Sequence, residues 1–158
     1  MKINHIAVVV NDMAEGHNFW HGVMGLPAGK AYREEDQGVD VAFYPAGEKD
    51  SPIPAIEIVS PLDDESGVAR YLAKKGPGMH HLCFEVDDIV ATLAELKEKG
   101  VQLIDEEPRL NAKGVKVAFV HPKSTGGVLV EFYEIQVDAE TKIEEGCLLY
   151  TSPSPRDS

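Results

Sequence analysis

Basic residues are scarce in this chain: 15 Lys and Arg stand against 27 Asp and Glu, a formal net charge of −12 at pH 7. Nucleic acid and anionic membrane surfaces are held by clustered cations, so this balance excludes both as partners. Cysteine is rare too, with Cys83 and Cys147 at unrelated positions. They form neither a disulfide framework nor a CxxC pair, and a metal site here must draw mainly on nitrogen and oxygen donors. No apolar run approaches the roughly 18 residues of a membrane-spanning helix. Met1-Lys2-Ile3-Asn4-His5 enters a strand pattern with no signal-peptide stretch before it, which makes the cytoplasm the expected compartment.

What the chain does have is a repeat. His5-Ile-Ala-Val-Val-Val-Asn-Asp-Met returns as His81-Leu-Cys-Phe-Glu-Val-Asp-Asp-Ile at an offset of 76 residues. Each copy also ends in an apolar run carrying one glutamate, Ala55-Ile-Glu57-Ile-Val and Val128-Leu-Val-Glu131-Phe-Tyr, at an offset of 74. Internal periodicity decides architecture ahead of local features. A length of 158 residues with 43% hydrophobic content leaves room for two small fused modules. Two histidines and two glutamates recurring at nearly one period point to a duplicated module with a shared four-ligand metal site.

Local patterns follow the same order twice. Residues 3–10 read as a strand, Asn11 and Asp12 as an N-cap, and Ala14 to Met24 as a helix stopped by Gly25. Strands are predicted at about 28–34, 38–45 and 54–60, parted by the turn formers Asp36-Gln-Gly38 and Pro45-Ala-Gly47. A linker helix between Asp64 and Lys75 ends at Gly76-Pro-Gly78. His81 to Val86 is then a strand, and a helix capped by Asp87 or Asp88 carries Ile89, Leu93 and Leu96 on one face up to Gly100. Strands at about 101–105, 115–120 and 127–134 complete the second unit. The expected fold class is α+β, with tandem βαβββ modules at 1–75 (linker helix included) and 76–137.

Strand alternation puts His5 on the face of Ile3, Ala7 and Val9, and His81 on the face of Cys83 and Glu85. Glu57 points away from Ile56 and Ile58, and Glu131 away from Val130 and Phe132. A lone strand histidine is ordinarily exposed or hydrogen-bonded, and an edge glutamate ordinarily faces water. Four such residues recurring together are different, because a carboxylate buried in an apolar strand is costly unless paired or coordinating a metal. His17, His21 and His121 have no partner in the repeat and read as structural or exposed.

Six pieces in order carry a family resemblance: His5-Ile-Ala-Val8, Asp36-Gln-Gly-Val39, Ser60-Pro-Leu-Asp-Asp-Glu-Ser-Gly67, Gly78-Met-His-His-Leu82, Phe119-Val-His-Pro-Lys123 and Gly126-Gly-Val-Leu-Val-Glu131. Through them the chain from His5 to about Tyr133 resembles the methylmalonyl-CoA epimerases of the vicinal-oxygen-chelate superfamily, which are built from paired βαβββ modules. The resemblance implies metal ligation by His5, Glu57, His81 and Glu131, with His80 as the neighbour of His81 on the opposite face. Some members have glutamine at the position of Glu57. An N2O2 set of this kind suits a divalent ion, Co²⁺ first, with Mn²⁺, Zn²⁺ or Ni²⁺ as alternatives. An acyl-CoA substrate and a homodimer are implied as well.

The implied reaction inverts C2 of methylmalonyl-CoA between its (2R) and (2S) forms through a metal-stabilised enolate. Inversion needs a proton to leave one face and return to the other, hence two acid/base groups. Glu131 is the expected first. Some family members place the second on the strand after Gln-Gly-Val, where this chain has Val41, and valine moves no proton. Asp40 lies on the opposite face by alternation, so Glu57 takes that role. Lys116 and Lys123 read as solvated cations. On the same scaffold the alternatives are glyoxalase I (lactoylglutathione lyase) and a non-catalytic drug-binding protein, which needs no metal site. An extradiol dioxygenase would bind iron with two histidines and one carboxylate, and a fourth protein ligand argues against it.

Residues 138–158 read as a disordered tail with two Ser-Pro pairs and no counterpart in the first module. Within it, 147–158 reads as a sequencing-adapter scar, since Cys147 to Asp157 is similar to the in-frame translation of a transposase adapter. Cys83 is then the only native cysteine.

Overall fold

The computed structural model describes residues 1–134, so the tail expected at 138–158, its 147–158 segment and the last residues of the second module lie outside the described residues. Strand β1 (Lys2–Val9) leads into α1 (Met13–His17), which begins where the Asp12 carboxylate accepts the Glu15 N–H at 3.0 Å. The helix expected to run unbroken to Met24 instead widens into a π-helical turn over Asn18–Val23, where the Phe19 carbonyl accepts the Met24 N–H at 2.8 Å. Close approach to the sheet accompanies this: a Cβ on Gly16 would stand 2.8 Å from Ile58 Cδ1, and Trp20 packs against the cluster of Ala42, Tyr44 and Ile58.

Strands β2 (Ala31–Glu34), β3 (Val39–Pro45) and β4 (Ala55–Pro61) complete the first unit. Helix α2 (Gly67–Lys75) starts three residues after the expected Asp64, because the Asp63 carboxylate takes the Glu65 N–H at 2.8 Å and turns the chain before Ser66 caps Ala69 N–H at 3.0 Å. Gly76, with φ 78°, ends it. The second unit is β5 (Gly78–Val86), α3 (Ile89–Glu98), β6 (Arg109–Leu110), β7 (Lys116–Val120) and β8 (Val130–Glu134).

The strand expected at 101–105 is absent: Leu103 makes only an isolated bridge to Val120. There the Asp105 carboxylate accepts the Phe119 N–H at 2.8 Å, so a side chain occupies a donor that a backbone ladder would use. The two-residue β6, not foreseen in the sequence, takes the sheet edge instead.

All eight strands form one mixed sheet in the order β2-β3-β4-β1-β5-β8-β7-β6, so the second βαβββ unit repeats the strand order of the first. Its helix-covered face holds one cluster per unit: Ala42, Tyr44 and Ile58 under α1, and Val86, Ala118, Val120 and Phe132 packed against Ile89 and Leu93 of α3. The other face carries Ala7, Val39, Val41 and Val59, together with the charged residues described below. No helix among the described residues is long and apolar enough to cross a membrane. Helix α3 begins on Asp88, whose carboxylate accepts the Ala91 N–H at 3.0 Å. Asp88→Ala is expected to cost about 1 kcal/mol of stability. By calorimetry that is a fall in Tm of roughly 3–5 °C, with the chemistry of the distant site unchanged.

Candidate metal centre and its cleft

Strand pairing brings the four repeated side chains together. In the central antiparallel pair, His5 of β1 lies beside Cys83 of β5, and His81 lies beside Ala7. On the flanks, β4 runs parallel to β1 with Glu57 beside Ala7, and β8 runs parallel to β5 with Glu131 beside Cys83. Each glutamate therefore neighbours the residue two beyond its own module's histidine, on the same face of the sheet. All four are buried, with exposures of 0% for His5, 6% for Glu57, 9% for His81 and 5% for Glu131.

His5 Nε2 stands 3.3 Å from His81 Nε2, 3.4 Å from Glu57 Oε1 and 3.5 Å from Glu131 Oε1. His81 Nε2 stands 3.7 Å from Glu57 Oε1 and 3.0 Å from Glu131 Oε1. Donors bound at about 2.1 Å to a common ion lie about 3.0 Å apart at right angles and about 3.4 Å apart in a tetrahedron. The donor atoms present thus fit a divalent cation. Cys83 Sγ also approaches His5 and Glu131. Burial first, then the negative charges of Glu131 and Glu57, push its thiol far above the usual range, so it stays protonated and is a poor ligand.

The two carboxylates sit in opposed electrostatic states. Burial pushes Glu57 up, and neighbouring His5 and His81 offset this only in part. Burial also acts to raise Glu131, but the imidazoles of His5 and His81 against its Oε1 overcome it and hold the group at about 2. His81 is correspondingly raised, since its bond to Glu131 outweighs the desolvation that would lower it.

A narrow cleft opens onto Glu57, His81 and Glu131, walled by Tyr32, Val39, Val41, Phe119 and Tyr133. Val41, at 5% exposure, presents no proton carrier there, while Asp40 turns away to Arg33 Nε at 2.9 Å, as alternation requires. Among the other polar groups that line it are Glu34, Tyr133 and His80, none of which the sequence reading placed there. Glu34 is buried at the end of β2, and its Oε1 accepts the Ala112 N–H at 2.8 Å. Tyr133 shares the inward face of Glu131, a period-two relation that was available in the sequence. His80, expected on the opposite face, instead reaches the cleft: the β1–β5 register shifts between Ala7 and Val8, leaving His80 in a bulge with Nδ1 2.8 Å from His81 Nδ1. Burial and His81 pull His80 down to about 4, so it is neutral at pH 7.

The remaining histidines are structural, as read from the sequence. His17 Nδ1 meets Tyr44 OH at 2.8 Å, His21 Nδ1 donates to Leu26 O at 2.7 Å, and His121 Nδ1 accepts from Lys123 N at 3.0 Å. Lys116 pairs with Glu134 at 3.5 Å.

Comparison with known proteins places this geometry among relatives. Residues 4–119 match the sequence model of the glyoxalase/bleomycin resistance protein/dioxygenase superfamily. The chain is 38% identical over 131 residues to the mitochondrial methylmalonyl-CoA epimerase of Bos taurus, an alignment spanning 82% of this chain and 72% of that protein. It is 35% identical over 136 residues to the ethylmalonyl-CoA/methylmalonyl-CoA epimerase of Cereibacter sphaeroides, spanning 85% and 98%. Among solved structures, a variant of the Streptomyces coelicolor methylmalonyl-CoA epimerase in complex with 2-nitronate-propionyl-CoA superposes with a TM-score of 0.78 at 30% identity, covering 85% of this chain and 94% of that one.

Proposed function

We propose that this chain, which belongs to the glyoxalase/bleomycin resistance protein/dioxygenase superfamily and within it to the methylmalonyl-CoA epimerases, interconverts (2R)- and (2S)-methylmalonyl-CoA. The observation that carries this reading is the convergence of four buried donor side chains, 3.0 to 3.7 Å apart over five pairs, three of them lining the cleft. In this reading His5, Glu57, His81 and Glu131 hold a divalent ion, Co²⁺ in first place and Mn²⁺, Zn²⁺ or Ni²⁺ otherwise. Bound there, the ion supplies Lewis-acid polarisation of the thioester carbonyl, which lowers the barrier to removing the neighbouring C2 proton.

The protein's own groups do the rest. C2 lies between a thioester and a carboxylate, and its inversion needs a proton carrier on each face. Glu57 on β4 and Glu131 on β8 flank the β1–β5 pair from opposite sides, which supports their assignment to opposite faces of C2. Their pKa values are pushed apart, Glu57 up and Glu131 to about 2, the pattern expected of an acid and a base sharing one site. Tyr32, Val41, Phe119 and Tyr133 wall the cleft and exclude water from the reacting carbon. At its rim, Lys113 lies 4.4 Å over the Tyr32 ring and Arg109 5.6 Å over the Phe119 ring, cations suited to the anionic tail of an acyl-CoA.

The test is hydrogen–deuterium exchange at C2 of methylmalonyl-CoA in D₂O, with metal-free protein and after reloading with Co²⁺. Exchange above background only after reloading is the expected result. Its absence under both conditions overturns the reading.

The titrations add a pH prediction. In the metal-free protein His81, raised from its ordinary 6.5, contributes stability that is complete below that value and is lost as pH rises through its folded pKa. Glu131, depressed from 4.5 to about 2, contributes stability present above 4.5 and lost as pH falls toward 2. Metal binding has the opposite demand, because it needs neutral imidazoles and so strengthens as pH rises. The increase in Tm on adding Co²⁺ is therefore expected to be larger at about pH 8 than at about pH 5.5 by scanning fluorimetry. An increment that shrinks with rising pH contradicts ligation by the two histidines.

A further inference from the structure

Both ligand histidines are preceded by a residue in a β-bulge. The β1–β5 register shifts between Ile3 and His5, leaving Asn4 unpaired, and again between Ala7 and Val8, leaving His80 unpaired. A bulge re-aims the side chain it carries, and here each one meets the outer nitrogen of the next ring: Asn4 Oδ1 lies 2.6 Å from His5 Nδ1, and His80 Nδ1 lies 2.8 Å from His81 Nδ1. In the second module the contact ends on a neutral imidazole. In the first it continues, because Asn4 Nδ2 donates to Glu85 Oε2 at 2.8 Å. Glu85 is 3% exposed, and among the described residues its Oε1 is the one buried side-chain oxygen or nitrogen without a hydrogen-bond partner. A carboxylate in that setting is destabilising and so calls for a role beyond packing.

We infer that Asn4 and Glu85 form a positioning relay that locks His5 in the tautomer with its proton on Nδ1, leaving the Nε2 lone pair free for the metal. The chemistry of each link forces the next. Glu85 Oε2 accepts from Asn4 Nδ2 at 2.8 Å, so the Asn4 amide turns its NH2 to Glu85. That leaves Asn4 Oδ1 toward His5, and since oxygen there cannot donate, His5 Nδ1 must carry the hydrogen. A neutral imidazole protonated on Nδ1 has its lone pair on Nε2, the atom that faces Glu57, His81 and Glu131. The carboxylate of Glu85 thus sets the state of a ring it does not touch. Glutamine in its place would present either a donor or an acceptor to Asn4, and both tautomers of His5 would become available.

This inference rests on the metal-centre reading above, and the test separates the two. Long-range ¹⁵N–¹H spectra of histidine-labelled, metal-free protein at about pH 8 read the His5 tautomer directly, and Co²⁺ affinity is measured by competition with a chromophoric chelator. Expected for wild type is a single Nδ1–H form of His5. In Glu85→Gln the ring becomes a mixture and Co²⁺ binds about 10–100-fold more weakly, the usual effect of losing an outer partner of a ligand histidine. Adding Asn4→Asp to Glu85→Gln moves the carboxylate one link inward, where it accepts from His5 itself, and is expected to restore both the tautomer and the affinity to within a few-fold of wild type. A merely structural role for Glu85 would not be rescued this way. A Glu85→Gln protein with an unchanged tautomer and unchanged affinity overturns the relay. If wild type fails to bind Co²⁺, the metal reading fails and the metal-free tautomer alone decides the relay. Should Glu85→Gln not fold, Asn4→Ala breaks the same chain, and a single Nδ1–H form surviving there overturns the relay equally.

Discussion

With Glu57→Gln and Co²⁺ present, one C2 epimer of methylmalonyl-CoA is expected to exchange its proton with D₂O without inverting, while the other neither exchanges nor inverts. Glutamine keeps an oxygen donor at the position, so the metal site remains, yet it cannot carry a proton. Glu131, on the far side of the β1–β5 pair, can still remove and return a proton on its own face of C2. Only the epimer whose proton points to that face reacts, and it returns to its starting configuration. Net inversion should fall by about 10²–10⁴-fold, the usual contribution of one acid/base group. At about 1.36 kcal/mol per tenfold, that is about 3–5 kcal/mol of transition-state stabilisation. Proton NMR of the C2 signal and chiral analysis of the recovered thioester separate exchange from inversion. Wild-type inversion by this variant would confine Glu57 to ligation, and equal exchange of both epimers would place a second carrier elsewhere in the cleft.

The reasons the metal centre could be read in advance, and the cleft around it only in part, are physical. Period-two alternation around Glu57 and Glu131 survives folding because those strands are regular: Ile56 and Ile58 line one face of β4 while Glu57 and Val59 line the other. A bulge leaves no mark in that alternation, so His80 was expected on the wrong face and the contact of Asn4 with His5 was invisible. Glu34 escaped for a different reason. Its burial depends on an N–H donated by Ala112, 78 residues away in the other unit, and no local pattern encodes a partner at that separation. At 101–105 the apolar Val101 and Leu103 read as a strand, but Asp105 competes with the backbone for the Phe119 N–H, a choice settled only when both are brought together.

Glu131→Gln is expected to be the more damaging of the two carboxylate changes, because it removes a proton carrier and also the carboxylate that lies nearer His81, 3.0 Å against 3.7 Å for Glu57. Glu131 Oε1 is 3.0 Å from His81 Nε2 and 3.5 Å from His5 Nε2, and these contacts hold its pKa at about 2 despite its burial. A neutral amide loses that charge, and an amide N–H turned toward either Nε2 would occupy the lone pair the metal needs. Co²⁺ affinity should therefore drop by at least the roughly 10–100-fold that follows loss of an outer-shell partner. Raising Co²⁺ to saturation restores occupancy but not the proton carrier, so C2 inversion stays about 10²–10⁴-fold below wild type even then. The metal-free variant supplies an independent reading, because without Glu131 the His81 pKa is no longer raised and burial drives it down instead. Its stability should then stop declining as pH rises from about 6 to about 8, where the wild-type metal-free protein declines. Wild-type inversion at saturating Co²⁺ would remove Glu131 from proton transfer, and an unchanged pH–stability profile would detach it from His81.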